Sequence, residues 1–320
     1  MGRRGWVARR LLAAAVTFFL TLTLNFVLFR VLPGNAVSDL SRVPRASPAL
    51  KAALTRHFGL DQPLWRQYLA YLGRLAHGDL GVSFDNQQPV WDSLQTALVN
   101  TLPLVLVATL AAITLGTLVG VVSAWRRGTV VDHASTGLAV ALFSFPVQWL
   151  GLMLVILFAG RLPTGGMTDA FLFHPGLWRH LTDVATHMVL PGLTLALGLY
   201  GSFTLVVRSS MLETLGEDYL LTARAKGLPP ATVVRRHALR NALLPTTTLV
   251  ALTLGHLVSG AILVETVFSW PGIGRTVYAA VLNRDYPMLQ GAFLLLTVSV
   301  LAANLAADLL YARLDPRVGT

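Results

Sequence analysis

The sequence predicts an all-α polytopic membrane protein with six transmembrane helices. Three observations carry that prediction. Only 12% of the 320 residues are charged and 54% are hydrophobic, whereas soluble domains carry about 25% charged residues. Six mostly apolar stretches reach the roughly 20 residues a membrane helix needs: 11–32, 101–124, 136–159, 188–207, 245–267 and 288–311. None shows the strict alternation of a barrel strand.

The same composition argues against a soluble enzyme. A net charge of +10 on so apolar a chain is expected beside an anionic membrane face, not on nucleic acid. The absence of cysteine excludes disulfides, thiolate catalysis and Cys-based metal sites.

The first stretch follows Arg3, Arg4, Arg9 and Arg10. It is too long for the apolar part of a secretory signal, and Arg30-Val31-Leu32-Pro33-Gly34 is no small-residue cleavage site, so a retained helix is expected. A long loop, 33–100, comes next. Asp61 caps a predicted helix with Pro63 in its first turn, Leu64, Tyr68, Leu69, Leu72 and Leu75 on one face, and Gly78 as its stop. The loop is read either as a cover over helix ends or as a docking surface.

Gly116 and Gly120 in the second stretch have the spacing that lets membrane helices approach closely. Pro103, Pro146, Pro191 and Pro245 begin or bend spans. Between the fourth and fifth stretches lies a long ordered segment, 213–244. From Glu217 to Lys226 it favours helix, with acids (Glu217, Asp218) first and bases (Arg224, Lys226) last, matching the helix dipole. Gly227 ends that helix and Pro229-Pro230 forbid its continuation. A second helix, 232–243, leads back to the membrane. Thr222, Ala223 and Ala225 leave a low surface that another protein can approach; the alternative is a helix lying on lipid headgroups.

Orientation follows from Lys and Arg in the short segments. Fourteen fall on the side of both termini and of 213–244, against Arg161, Arg179, Arg275 and Arg284 on the other. Both termini are therefore expected in the cytoplasm.

No phosphate cradle is present: Lys51 and Lys226 are the only lysines and neither follows the required glycines. The eight histidines are scattered, so no metal site is expected. Charges within the spans are limited to the edge residues Arg30, Glu265 and Asp308, which argues against an ion-coupled carrier. Ser202 and His256 allow an intramembrane serine protease as a remote alternative.

The stretch Thr222-Ala223-Arg224-Ala225-Lys226-Gly227-Leu228, followed by His237-Ala238-Leu239-Arg240-Asn241-Ala242-Leu243-Leu244-Pro245, resembles the EAA-type coupling loop of ABC import permeases, most closely the dipeptide/oligopeptide/nickel branch. Leu32-Pro33-Gly34, Phe58-Gly59-Leu60-Asp61-Gln62-Pro63 and Gly78-Asp79-Leu80-Gly81-Val82-Ser83-Phe84 resemble its exterior loop. Glu265-Thr266-Val267-Phe268-Ser269-Trp270-Pro271-Gly272-Ile273-Gly274, Asn283-Arg284-Asp285-Tyr286-Pro287 and Leu314-Asp315-Pro316-Arg317 resemble its last exterior loop and tail. Two positions depart from the pattern. Leu221 stands where Glu or Arg is usual, and Asn35 where an acid is frequent.

The resemblance implies a type I ABC importer permease fold. It divides the chain into an N-terminal helix with its exterior loop domain, 1–100, and a five-helix permease core with the coupling loop, 101–320. It implies a subunit of the bacterial inner membrane that translocates di- or oligopeptides and is itself no enzyme; a nickel chelate or another small solute is the alternative. It also implies a heterodimer with a second permease, two cytoplasmic ABC ATPases that hold the ATP and magnesium, an exterior binding protein, surrounding membrane lipid and no nucleic acid. No cofactor or metal is expected on this chain. The ATPase-coupling residues would be Glu217, Asp218, Tyr219, Thr222, Ala223, Arg224, Ala225, Lys226 and Gly227. The candidate substrate path is Ser144, Gln148, Ser202, His256 and Ser259, whose hydroxyls, amide and imidazole suit a zwitterionic peptide. Trp270, Pro271, Gly272, Asp285 and Tyr286 are the candidate exterior docking residues.

Overall fold

The computed structural model of the chain describes residues 3–31, 62–171, 176–247, 249–250, 253 and 261–314. Apart from turns and one isolated antiparallel bridge between Val82 and Pro89, the secondary structure among the described residues is helical. Among the described residues, four helices are long and apolar enough to cross a membrane, or up to five if one bent pair counts as a single span.

The chain forms two compact units, 1–99 with 275–320, and 100–274. In the first, helix α1 (Arg3–Val31) packs against the last helix and carries the short helix α2 (Leu64–Ala76). The predicted α2 is present and stops at Gly78, which has φ +75°. Its predicted cap, Asp61, lies outside the described residues. Its buried face differs from the one expected. Gln67 and Tyr71 are buried, Tyr68, Leu72 and Leu75 pack beside them, and Leu64 and Leu69 point outward. Tyrosines decide the matter: Tyr68 and Tyr71 meet Phe26 of α1 at ring separations of 5.1 and 5.6 Å, and Tyr68 Oη bonds Thr23 at 2.7 Å.

Helix α3 (Val90–Trp125) runs from the first unit into the second. The predicted span 136–159 is not one helix. It is α4 (Val130–Ser144) followed by α5 (Val147–Phe158), bent by 106°. The cause is Pro146, which lacks an N–H and pushes Phe145 out of the helical region, to φ −81°, ψ 131°. The longest helix, α6 (Leu177–Leu215), tolerates Pro191 inside it and is followed by the short α7 (Asp218–Ala225).

The next helix, α8 (230–242), departs from the regular helix expected there. It passes from Pro230–Thr232 through a π-helical turn, Val233–Ala238, to Leu239–Ala242. The middle of the predicted span 245–267 (248, 251–252 and 254–260) lies outside the described residues; its end is α9 (Ile262–Val267). Helices α10 (Ile273–Asn283) and α11 (Tyr286–Leu314) complete the chain. The last of them groups with α1: Asn25 donates to the Gln290 carbonyl at 2.9 Å. The division drawn from sequence kept 275–320 with the core instead.

The second unit is held together by close helix contacts. A Cβ on Gly120 would lie 2.8 Å from the Thr204 carbonyl and 2.9 Å from Val207 Cβ, and one on Gly116 would strike Phe203. The α3–α6 interface thus depends on the absence of side chains at both glycines. Gly201 of α6 likewise seats under the Ala139 carbonyl and Phe143 of α4.

Candidate functional site

The site forms where α6 ends. Gly216 N–H donates to Glu213 O at 3.1 Å and Glu217 N–H to Thr214 O at 3.1 Å, closing α6. Chain direction changes there, and α7 begins with Asp218 in its first turn, favourable to the helix dipole. Lys226 N–H donates to Thr222 O at 3.1 Å, and Gly227, at φ +75°, stops the helix in a conformation side chains resist.

Eight residues make barely two turns, too few for a helix to persist alone. Packing supplies the rest. Leu220 and Ala223 insert among Ala124, Val207, Met211, Val233, Val234, Ala238 and Ala242. The π-helical turn contributes three of these: Val233, Val234 and Ala238 are all buried. Tyr219 Oη accepts from Asn241 Nδ2 at 2.9 Å, a second tie between α7 and α8.

The outer face follows from helical spacing. Asp218, Leu221, Thr222 and Ala225 are exposed at i, i+3, i+4 and i+7, a continuous stripe with small residues at its lower end. Glu217, Tyr219, Lys226 and Gly227 flank it, all exposed. Of the sequence-predicted coupling residues whose side chains are described, Ala223 alone is buried, at 8% exposure. For Arg224 the helical backbone alone is described. Leu221, a departure from the family pattern, is 55% exposed on this stripe. Asn241 had no sequence signal beyond its place in the motif.

Two of the five substrate-path candidates, Ser144 and Gln148, flank the break between α4 and α5. Ser144 ends α4, Gln148 lies in the first turn of α5, and Val147 packs on Gly198 of α6. Ser202 adjoins the Gly201 seat under Ala139 and Phe143. Ser144 is exposed and Gln148 and Ser202 are half-buried. His256 and Ser259 lie outside the described residues.

Some 23 residues or roughly 35 Å back along α3 from Ala124, Thr101 anchors a polar knot. Buried Glu265 accepts from Thr101 Oγ1 at 2.7 Å and from Gly274 N–H at 2.7 Å. Ile273 N–H donates to Thr101 Oγ1 at 2.9 Å. Trp270 is buried and its indole N–H donates to Asn100 O at 2.9 Å, while Asn100 Nδ2 donates to Pro271 O at 2.9 Å. In the first unit, buried Asp285 accepts from Ser83 Oγ in a short contact and from Met288 N–H at 3.1 Å. Among the docking candidates, then, Pro271 is exposed and Tyr286 half-exposed, whereas Trp270, Gly272 and Asp285 face inward.

Comparison with known proteins places the chain in a family. Residues 112–320 match the family described as binding-protein-dependent transport system inner membrane component, and residues 4–105 match the N-terminal part of such membrane components. The chain is 39% identical over 332 residues to the dipeptide transport system permease protein DppB of Escherichia coli K12, covering 98% of each chain. It is 40% identical over 329 residues to the di/tripeptide transport system permease protein DppB of Pseudomonas aeruginosa UCBPP-PA14, again covering 98% of each. A structure of inward-facing conformations of the MetNI methionine ABC transporter superposes with a TM-score of 0.54 at 19% identity, over 69% of this chain and 96% of that one, and so shares the fold. The chain belongs to the binding-protein-dependent inner-membrane components: it is a multi-pass ABC importer permease subunit, a translocation component and not itself an enzyme.

Proposed function

We propose that this subunit moves short peptides inward across the bacterial inner membrane, paired with a second, related permease and driven by two cytoplasmic ATPases that dock on α7. The observation that carries this reading is the exposed stripe Asp218, Leu221, Thr222 and Ala225 on a helix whose opposite face is locked into its own subunit. A short helix so anchored transmits a push instead of yielding to it. ATP and magnesium belong to the partner subunits; this chain supplies the lever. The peptide substrate rests on the names of the relatives and on the uncharged polar groups around the α4–α5 break. Ser144, Gln148 and Ser202, with His256 and Ser259, line the path in this reading. An exterior binding protein delivers the peptide, with Pro271 and Tyr286 as accessible contacts and Trp270, Gly272 and Asp285 shaping the loops that present them. Both termini are cytoplasmic, as the excess of basic residues on that side favours.

The test is uptake by the assembled transporter. Proteoliposomes holding both permeases and the ATPases, with the binding protein outside, should accumulate labelled dialanine when ATP is enclosed. A proton uncoupler should leave the rate unchanged. Uptake that stops with the uncoupler while ATP is constant would overturn the reading.

A further inference from the structure

A buried carboxylate that none of the preceding sites uses accepts five hydrogen bonds in the second unit. Asp132 lies in the first turn of α4 and is 1% exposed. Its Oδ1 accepts from Arg208 Nε at 2.7 Å and Ser123 Oγ at 2.6 Å, with Thr136 Oγ1 at 3.3 Å. Its Oδ2 accepts from Arg208 Nη2 and from Gly128 N–H, each at 3.0 Å. One carboxylate thus gathers the end of α3, the turn after it, the base of α4 and the side of α6.

Placement gives this cluster its meaning. Arg208 stands two turns before the end of α6, between Val207 and Met211, which share one buried cluster with Leu220 and Ala223 of α7. Asp132 begins the helix that leads, through the 106° break, to α5. Helix α5 in turn reaches Thr194, Val267 and Phe268, all within 3.4 Å of a Cβ placed on Gly151. A two-point guanidinium–carboxylate pair fixes rotation as well as separation, which a single point charge does not. Apolar packing along α4 and α6 can slide; this joint cannot slide without leaving a buried charge unpaired.

We propose that Asp132 and Arg208 are positioning residues for transport. Their forked pair locks the base of α4 to α6, so that motion imposed on α7 is delivered to the bent α4–α5 pair that carries Ser144 and Gln148. The proposal rests on α7 being the ATPase contact. A pure folding staple would lower the amount of assembled complex but leave the peptide moved per ATP unaltered. A transmission joint does the opposite.

The experiment compares wild type, Asp132→Asn and Arg208→Lys in the full transporter, reconstituted with the binding protein and labelled dialanine. ATPase co-purification, ATP turnover and uptake are measured on the same vesicles. ATPases should be retained by both variants, while dialanine moved per ATP falls at least about fivefold, the lower end of ordinary intersite coupling. Arg208→Lys should be impaired although it keeps the charge, because the fork is lost. An unchanged uptake-to-ATP ratio in either variant overturns the proposal. Failure of both variants to assemble overturns it as well, by reducing the pair to a staple. Loss of ATPases from wild type would instead remove the α7 reading beneath it.

Discussion

The Tyr219 hydroxyl of α7 accepts a hydrogen bond of 2.9 Å from the Asn241 amide at the end of α8. The two residues are 22 apart in sequence and both are exposed. With Leu220 and Ala223 buried beneath, this bond is the outer clasp that sets the angle of α7. Asn241→Ala removes it at a cost of about 0.5–1.5 kcal/mol, the usual net worth of such a bond. The variant should assemble normally but release its ATPases more readily in a detergent-wash series. Retention equal to wild type at every wash would show that α7 is held by its apolar face alone.

Ala223 and Ala225 are two residues apart and face opposite ways. Tryptophan at each therefore tests different things. Ala223→Trp overpacks the cluster of Leu220, Met211 and Val234, and should cost about 1–3 kcal/mol. Its signature is a lower unfolding temperature of the isolated permease. Ala225→Trp should leave that temperature within error while abolishing ATPase co-purification and uptake. Normal coupled turnover in Ala225→Trp would remove α7 as the transmission surface.

Two glycines in neighbouring helices should behave in opposite senses. Gly120→Leu collides with the Thr204 carbonyl and with Val207, and both helices must part. Gly137 of α4 has nothing within 4 Å of a built Cβ. Gly137→Ala should be neutral or stabilise by up to about 1 kcal/mol through helix propensity. Thermal unfolding in one detergent checks both. Equal effects would mean that α3 and α6 do not approach as closely as described.

Much of this architecture was legible because long apolar runs leave few alternatives. The stretches 101–124, 188–207 and 288–311 lie within helices of the structure, as does 11–31 of the first. The helices outrun them, however: α3 starts at Val90 and α6 ends at Leu215. Backbone hydrogen bonding continues where hydrophobicity stops. That margin hid Asp132 and Arg208, each just outside an apolar window and separated by 76 residues. The α4–α5 break was visible as Pro146, but a proline alone does not distinguish a kink from a turn of 106°. In α7 the spacing identified a helix, yet only packing against Val233 and Val234 shows that Ala223 faces inward. Trp270 and Asp285 carry the same lesson. The resemblance to an exterior loop suggested a docking role, while their bonds to Asn100 and Ser83 place them inside.

Membrane orientation can be tested on a chain with no native cysteine. Ser83, in the motif 78–84, is a poor probe because it is buried and donates to Asp285. Ala70 on α2 and Ala231 on α8 are exposed on the described surface and avoid every contact argued above. If 62–89 is exterior and α7–α8 cytoplasmic, a membrane-impermeant maleimide should label Ala70→Cys in intact spheroplasts. Ala231→Cys should be labelled only after the membrane is opened. The expectation rests on fourteen basic residues against four, a bias that acts through the short loops near the spans. Both variants should also support dialanine uptake, which ensures that the labelled molecules are functional ones. Labelling of Ala231→Cys in intact spheroplasts, with Ala70→Cys protected, would invert the topology. It would also detach α7 from any cytoplasmic ATPase.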